Sequence, residues 1–284
     1  MHNPPRLIIN ADDLGFSPGV TDGILEAHKR GVLSSATLMT TMPDRDRALD
    51  LAAQAGTGAA GQPLGVGIHL SLTQGTPLTS CRRILTRDGH FIRSLPKLFL
   101  RLRTKAARQE AQYELIAQIQ YAQSRGLVPT HVDSHKHVCH FPPLHAPLIA
   151  ACNATGIQWL RTTRERPTPG IPKLPFAYRV LAHFAQLLAK KAQAAGLHTP
   201  DRFLGLSTTG KTTSAHILAF LQMPATPGTL TEYMLHPGYA SDITPGETRL
   251  LASRELELRT LTDPSVVAAV QGGTIQLVHF GSSA

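Results

Sequence analysis

The chain has 284 residues, of which 42% are hydrophobic and 5% aromatic, and its formal charge at pH 7 is +9. This size accommodates one large core, and we predict a single domain over residues 1–284. The absence of any run of about 18 apolar residues argues against a membrane-spanning helix. The chain reaches its first strand too soon for a secretory signal, and its three scattered cysteines suit neither a disulfide framework nor a zinc ribbon. We therefore expect a cytoplasmic protein.

The positive charge favours anionic partners, such as nucleic acid, phosphate-bearing ligands or a membrane surface. The basic residues are spread out, and the densest run is Arg101, Arg103, Lys105 and Arg108. So few aromatic residues offer no obvious platform for base stacking, and no nucleic-acid motif is present. We expect no nucleic-acid partner and interpret the charge as aiding solubility, with room for a weak attraction to membrane surfaces. The sequence leaves open whether the chain forms a homo-oligomer.

Short apolar strands alternate with amphipathic helices along most of the chain. Strands are predicted at residues 6–10 and at "SATLMTTM", "LGVGIHLSL", "PTHVDSH", "IQWLRT", "FLGLS", "LTEYMLHPG" and "TIQLVHF". The predicted helices comprise one that Gly31 ends, one capped by Asp44, 106–125, about 143–152, 176–195, "SAHILAFL", 250–261 and one after Asp263. This order predicts a parallel sheet with crossover helices, open or closed into a barrel. The segments 75–93 and 162–174 are predicted to be irregular.

Acidic and histidine residues collect where the predicted strands end, which is where barrel enzymes carry their chemistry. Asp12 and Asp13 close the first strand, and a solvated turn explains one aspartate there better than two. His69 lies near the end of "GVGIHLSL", and His236 follows "YML". The tract "HVDSHKHVCH" adds five candidates, and in an extended chain the first four would share one face: His131, Asp133, His135, His137 and His140.

A divalent cation would explain the aspartate pair, because it offsets the repulsion between adjacent carboxylates. Taken alone, a strand histidine such as His69 is more often a hydrogen-bonded core residue, and His236 could simply shape a turn. One carboxylate and two imidazoles, however, form a recurrent open metal site. Asp12 could then act as a general base toward a water beside the metal bound by Asp13, and a separate histidine could protonate the leaving group. These are the parts needed to hydrolyse an amide or an ester.

The motifs "INADDLG", "GIHLSLT", "THVDSHKHVCH" and "EYMLHPGY", in this order, resemble those of the YdjC/ChbG/HpnK-type carbohydrate deacetylases. The resemblance implies an α/β fold, namely a distorted TIM-like (β/α) barrel. It implies that Asp13, His69 and His135 bind the metal, that Asp12 is the base and that His236 is the acid. It also implies hydrolysis of the N-acetyl group of an amino sugar, with magnesium as the usual ion.

This chain departs from the usual "HxDSHHHVH" motif at Lys136, between His135 and His137, and at Cys139. On an ideal strand Lys136 would point to the opposite face from His135, so the departure leaves the assignment of His135 as a metal ligand unchanged. Two imidazoles suit zinc or another transition metal better than magnesium. The alternatives are a metal-dependent hydrolase of another amide or ester, and a non-catalytic carbohydrate-binding barrel. The sugar, its chain length and its free or lipid-linked form remain open.

Overall fold

A parallel β-sheet forms the centre of the molecule. The structure is a computed structural model that describes residues 4–166, 168–224, 226–273 and 275–282. Its strands run in the order β4-β3-β2-β1-β6-β5, and β7 pairs with β1 beside this path. Their bounds are β1 Arg6–Leu14, β2 Ser35–Leu38, β3 Gly65–Leu70, β4 Val132–Ser134, β5 Arg202–Leu204, β6 Leu230–Leu235 and β7 Gln276–Leu277.

Helices connect the strands, as parallel pairing requires. Their bounds are α1 Pro18–Arg30, α2 Arg45–Ala53, α3 Leu95–Arg101, α4 Lys105–Ser124, α5 Pro142–Thr155, α6 Phe176–Ala194, α7 Ser214–Leu221, α8 Ala252–Leu261 and α9 Pro264–Gly272. Short 3₁₀ helices cover His135–His140 and Phe280–Ser282. The helices predicted from periodicity are present, with small shifts at their ends. Within the described ranges, no helix is both long enough and apolar enough to cross a bilayer.

Helix ends follow the capping chemistry of the sequence in two of three cases. The Asp263 carboxylate accepts the backbone N–H of Ser265 at the start of α9, as an N-cap should. Gly31 ends α1 as predicted. Asp44 precedes α2 but makes no capping bond to it; its carboxylate accepts the Thr21 hydroxyl instead, at 2.6 Å, and so ties α1 to α2.

The sheet curves into a half-barrel whose remaining side is closed by single residue pairs. The predicted strand "IQWLRT" shortens to isolated bridges, in which Leu160 pairs with Val132 and Trp159 pairs with His198. Glu165 then pairs with Phe203 of β5. The last predicted strand likewise shrinks to Gln276–Leu277. The barrel is distorted because only the isolated bridges at Leu160, Trp159 and Glu165 connect β4 to β5. The predicted TIM-like α/β fold is confirmed.

Buried polar side chains of α4 hold the long irregular segment that follows β3. The Gln118 amide bonds to both the N–H and the carbonyl of Ser71, at 2.8 and 2.7 Å. The Glu114 carboxylate accepts the backbone N–H groups of Leu78 and Thr79. Glu114 and Gln118 are both fully buried, so their hydrogen bonds anchor the first part of this segment to α4.

Candidate metal and catalytic site

A backbone irregularity at the end of β1 brings two adjacent carboxylates into one buried cluster. The pairing of β1 with β2 shifts register between Ala11 and Leu14, and Asp13 has a left-handed φ of 71°. In a regular strand Asp12 and Asp13 would face opposite sides of the sheet. The bulge turns both toward the carboxyl end of the barrel, where they are 1% and 3% exposed. A left-handed aspartate is a strained conformation of the kind that clusters at functional sites.

Asp13, His69 and His135 converge at this end of the barrel. The Asp13 Oδ1 atom lies 3.4 Å from His69 Nε2 and 3.3 Å from His135 Nδ1. One atom from each residue fits within 4.8 Å of the others, a spacing that can hold a metal ion. The three residues come from β1, β3 and the 3₁₀ helix after β4, so three separate connections meet here.

The His69 ring is oriented by groups on its far side. Its Nδ1 atom lies 2.7 Å from Asp133 Oδ1, and Thr37 is 3.3 Å from the same nitrogen. Burial alone would lower the pKa of His69, but the carboxylates of Asp133 and Asp12 outweigh burial and raise the pKa to about 9. Such a carboxylate–histidine pair is the usual outer support of a metal-ligating imidazole, since it fixes which nitrogen faces inward.

Arg254 of α8 holds the second oxygen of Asp13. Its Nη2 donates to Asp13 Oδ2 at 2.6 Å, and its guanidinium is completely buried. Burial raises the pKa of Asp13, yet Arg254 and His135 more than reverse this and hold the pKa well below its usual range. Asp13 is therefore a fixed carboxylate with Oδ1 turned to the two imidazoles. One oxygen and two nitrogens in this arrangement fit a divalent cation.

Arg161, at the end of the segment that bridges β4 to β5, joins three buried carboxylates. Its Nη1 and Nη2 donate to the two oxygens of Asp12 at 2.8 and 2.7 Å. The same guanidinium lies 2.5 Å from Asp133 and 2.6 Å from Glu232. Burial by itself would raise the pKa of Asp12. The charges of Arg161 and two nearby histidines outweigh burial, so the pKa lies below its usual range. Asp12 is thus an ionised carboxylate with little freedom to turn.

Glu232 and His236, on and just after β6, complete the cluster. Burial raises the pKa of Glu232 to about 8, because Arg161 only partly offsets burial and the repulsion of Asp12. His236 Nε2 lies 3.9 Å from Asp12 Oδ2, and its Nδ1 lies 3.9 Å from Glu257 Oε2. Burial lowers the pKa of His236 to about 4. Its imidazole is therefore neutral at pH 7 and can accept a proton before it donates one.

The other histidines of "HVDSHKHVCH" have surroundings of different kinds. The prediction that four residues share a strand face is wrong, because β4 ends at Ser134 and both Lys136 and His137 adopt left-handed φ values of 52° and 53°. His131 stacks on Phe280 with ring centroids 3.7 Å apart, while His140 Nε2 accepts the N–H of Thr163. The contacts of His131 and His140 are therefore structural. The left-handed residues reverse the chain direction after His135, and of the histidines in this tract only His135 lies beside Asp13.

An open groove of about 650 Å³ runs along the loops that follow β2 and β3, and none of its lining residues belongs to the Asp13 cluster. Gln74 and Arg93 line it together with Glu247. Arg93 donates to the Gln74 side chain and to the carbonyls of Gly246 and Glu247, so it ties the loop after β3 to the loop after β6. Lys136 lies at the surface, and partial burial together with the charge of Arg93 lowers its pKa. The groove is wide enough to receive a sugar unit.

Sequence reasoning missed both buried arginines. Arg161 stands at the end of a predicted strand, and its position among other strand-end polar residues was the signal that could have found it. Arg254 lies inside a predicted helix, where an arginine ordinarily faces solvent. Nothing in its local pattern shows that it is fully buried against Asp13.

Fold and site together define an α/β barrel protein with a carboxylate–imidazole centre suited to a divalent cation. The profile of the YdjC-like protein family matches residues 6–272, and the chain belongs to this family. A carbohydrate deacetylase of Geobacillus stearothermophilus is 32% identical over 280 residues, covering 98% of this chain and 97% of the relative. The human carbohydrate deacetylase is 31% identical over 96% of this chain and 89% of its own length.

One solved structure has the same fold over the whole chain. It is a protein of Enterococcus faecalis V583, provisionally described as a cellobiose-phosphate cleavage protein, which is 27% identical to this chain. The alignment covers 99% of this chain and 100% of that one, with a TM-score of 0.78. The family resemblance drawn from the four motifs is confirmed by these comparisons.

Proposed function

We propose that this protein is a metal-dependent hydrolase that removes the N-acetyl group from an N-acetylglucosamine-containing sugar. The observation that carries the proposal is the position of Asp13 Oδ1, within 3.3–3.4 Å of an imidazole nitrogen of both His69 and His135. The near-full-length relatives named carbohydrate deacetylases support the reaction class. We assign one catalytic domain to the whole chain, because all described strands belong to a single sheet.

Asp13, His69 and His135 would hold the ion. When bound, a divalent cation would polarise the amide carbonyl and make a water more acidic. Arg254 keeps Asp13 Oδ2 engaged at 2.6 Å, so only Oδ1 remains for the ion. A set of two nitrogens and one oxygen favours zinc or another transition metal over magnesium, which prefers an all-oxygen shell.

Asp12 would take the proton from water as the general base. Its two oxygens are held by Arg161, which restricts the carboxylate to one orientation and lowers its basicity. A weak base is sufficient when the water is already acidified. Arg161 also bonds to Asp133 and Glu232, so a single guanidinium joins the side chains around Asp12.

His236 would return that proton to the departing amine. It begins neutral, because burial holds its pKa near 4, so it must first gain the proton that it later donates. Asp12 Oδ2 lies 3.9 Å from His236 Nε2, which makes Asp12 a direct source for that proton after small movements. The sequence then balances: water supplies a hydroxyl to the acetyl carbon and a proton to the amine, leaving acetate and an amino sugar.

The substrate would be a chitooligosaccharide or a lipid-linked amino sugar. The groove between Gln74, Arg93 and Glu247 offers amide, guanidinium and carboxylate groups beside apolar surface, a mixture suited to a sugar ring. Hydrolysis of another amide or ester uses the same centre and differs only in what this groove accepts. A non-catalytic sugar-binding barrel is the weaker alternative, since binding alone requires neither Asp12 nor His236 in these positions.

Acetate release from a panel of N-acetylated sugars tests the proposal. The purified chain is stripped of metal by a chelator and assayed alone and after addition of zinc, cobalt, nickel or magnesium. We expect activity only with added ion and with sugars that carry an N-acetyl group. Release of acetate by the stripped protein would contradict metal dependence. Ester cleavage without any amide cleavage would favour the other hydrolase.

A further inference from the structure

The positive charge of the chain comes from two segments. Residues 89–109 and 166–200 together contain 11 Lys and Arg and no Asp or Glu. The rest of the chain holds 17 Lys and Arg against 19 Asp and Glu, so it is nearly neutral. Among the residues that the structure describes, no Lys or Arg of these two segments forms an ion pair; the arginine ion pairs of the surface, such as Arg30–Glu26, Arg83–Glu110 and Arg259–Glu255, lie elsewhere.

Helix α6, in the second segment, presents an apolar stripe to solvent. Its inner face packs into the protein through Leu181, Ala185 and Leu188. On the outer face Phe176 is 78% exposed, and Val180 and Leu187 are 41% and 37% exposed. These three residues recur at the spacing of one helix face. A helix of a globular protein normally covers its outer face with polar residues, whereas here these apolar side chains share the outer face with the exposed Arg179 and Lys190.

Helix α3, in the first segment, also exposes an apolar side chain, and basic side chains lie next to it. Leu100 is 63% exposed, and Lys97 and Arg101 beside it are also exposed. The two basic residues and Leu100 line an open, largely apolar groove of about 820 Å³. Arg103 and Lys105 follow directly and are exposed as well.

Aromatic contacts join α3 and α6 into one surface. Phe99 of α3 lies with its ring centroid 4.1 Å from that of Phe141, and Phe141 lies 5.5 Å from Phe184 of α6. Phe141 immediately follows the 3₁₀ helix that begins with His135. The surface therefore adjoins the end of the barrel that carries the candidate site.

We infer that this α3–α6 face is a docking surface for an anionic lipid membrane. We define the face by Lys97, Leu100, Arg101, Arg103, Phe176, Arg179, Val180 and Leu187. Exposed apolar side chains among unpaired basic residues are the combination that binds the interface of an anionic bilayer, where apolar groups enter and cations meet headgroups. Nucleic acid would use the basic residues but give the leucine and valine side chains nothing to contact. A second copy of the same face would bring like charges together.

Vesicle co-sedimentation of the full chain tests this surface without reference to enzymatic activity. The probes are phosphatidylcholine vesicles with and without phosphatidylglycerol, at low and high salt. We expect binding to the anionic vesicles that weakens as salt rises, because exposed charges are screened. The paired change Arg101→Glu with Arg103→Glu should lower the partition coefficient by about tenfold or more. Leu100→Ser with Phe176→Ser should weaken binding also at low salt.

Matched controls separate the face from net charge and general hydrophobicity. Lys29→Glu with Arg30→Glu makes the same charge change on α1, and Val128→Ser removes a side chain that is 86% exposed elsewhere. Both should bind vesicles like the parent, and thermal melting should show every variant folded. No binding to anionic vesicles, or equal losses in test and control variants, would overturn the inference. So would binding of duplex DNA with the same variant dependence and no vesicle binding.

Discussion

Asp12 and Asp13 are neighbours in the chain, yet each belongs to a different buried environment. Asp12 has both oxygens bonded to Arg161, whose guanidinium also reaches Asp133 and Glu232. Asp13 gives one oxygen to Arg254 and leaves the other between two imidazoles. Arg161 therefore binds both carboxylate oxygens of Asp12, whereas Arg254 binds only one carboxylate oxygen of Asp13.

This difference gives adjacent carboxylates distinct chemistry. A cation can join the Asp13 side without displacing an arginine, because the Oδ1 atom faces only His69 and His135. On the Asp12 side a guanidinium already occupies that position, so a second cation would be repelled. The asymmetry is consistent with assigning the ion to Asp13 and proton transfer to Asp12, and the following variants test it.

Replacing Arg161 should have the largest effect of all. Arg161→Met keeps much of the volume but leaves Asp12, Asp133 and Glu232 buried around no cation. Breaking a buried ion network in this way typically costs about 3–5 kcal/mol. Arg254→Met removes the partner of a single carboxylate and should cost less. Denaturant unfolding of both variants measures the two losses; an equal or reversed order would remove the distinction drawn between the two sides.

Asp12→Asn should abolish most activity while retaining the metal. The amide keeps the size of the carboxylate but cannot accept a proton at neutral pH, and a general base typically contributes about a hundredfold or more. Turnover and metal content are measured on the same preparations. A rate near that of the parent would exclude Asp12 as the base, and loss of metal equal to that of Asp13→Asn would indicate a shared ligand pair.

Asp13→Asn should chiefly weaken metal binding. Amide oxygen is a poorer ligand than carboxylate, and we expect about a 10- to 100-fold lower affinity, similar to other losses of support around metal sites. Activity should recover partly with excess ion, which titration calorimetry and rate measurements at rising metal concentration can follow. Asp12→Asn serves as the matched control, since its activity should not respond to added metal.

His236→Ala should lower turnover by roughly a hundredfold and leave bound metal almost unchanged, as expected of a proton donor. The two ring nitrogens of His236 lie 3.9 Å from carboxylate oxygens of Asp12 and Glu257, and His236 is not in the group of Asp13, His69 and His135 that could hold the ion. Metal analysis and steady-state rates separate the two properties. A variant that folds but contains no ion would reassign His236 as a ligand.

The sequence predicted what local patterns encode and missed what only the folded chain brings together. Alternating strands and helices gave the α/β barrel, and strand-end aspartates and histidines identified the region of Asp13, His69 and His135. The left-handed turn at Lys136 and His137 was missed because "SHKH" contains no glycine, and the modest preference of histidine for positive φ is too weak to predict a turn. The roles of Arg161 and Arg254 depend on contacts across 149 and 241 residues, which periodicity cannot report.

The proton on Glu232 makes the stability of the cluster depend on pH. Its folded pKa of about 8 lies above the ordinary value of 4.5 for a glutamate, so the folded state binds this proton more tightly than the unfolded chain does. Stability therefore falls as pH rises between these values, by up to about 1.4 kcal/mol per pH unit. Glu232→Gln removes this proton while its side-chain oxygen can still accept from Arg161. Its free energy of unfolding, measured from pH 5 to pH 8, should increase relative to the parent as pH rises. A constant difference would mean that Arg161 already keeps Glu232 ionised, and the cluster would then carry one more negative charge than we assign.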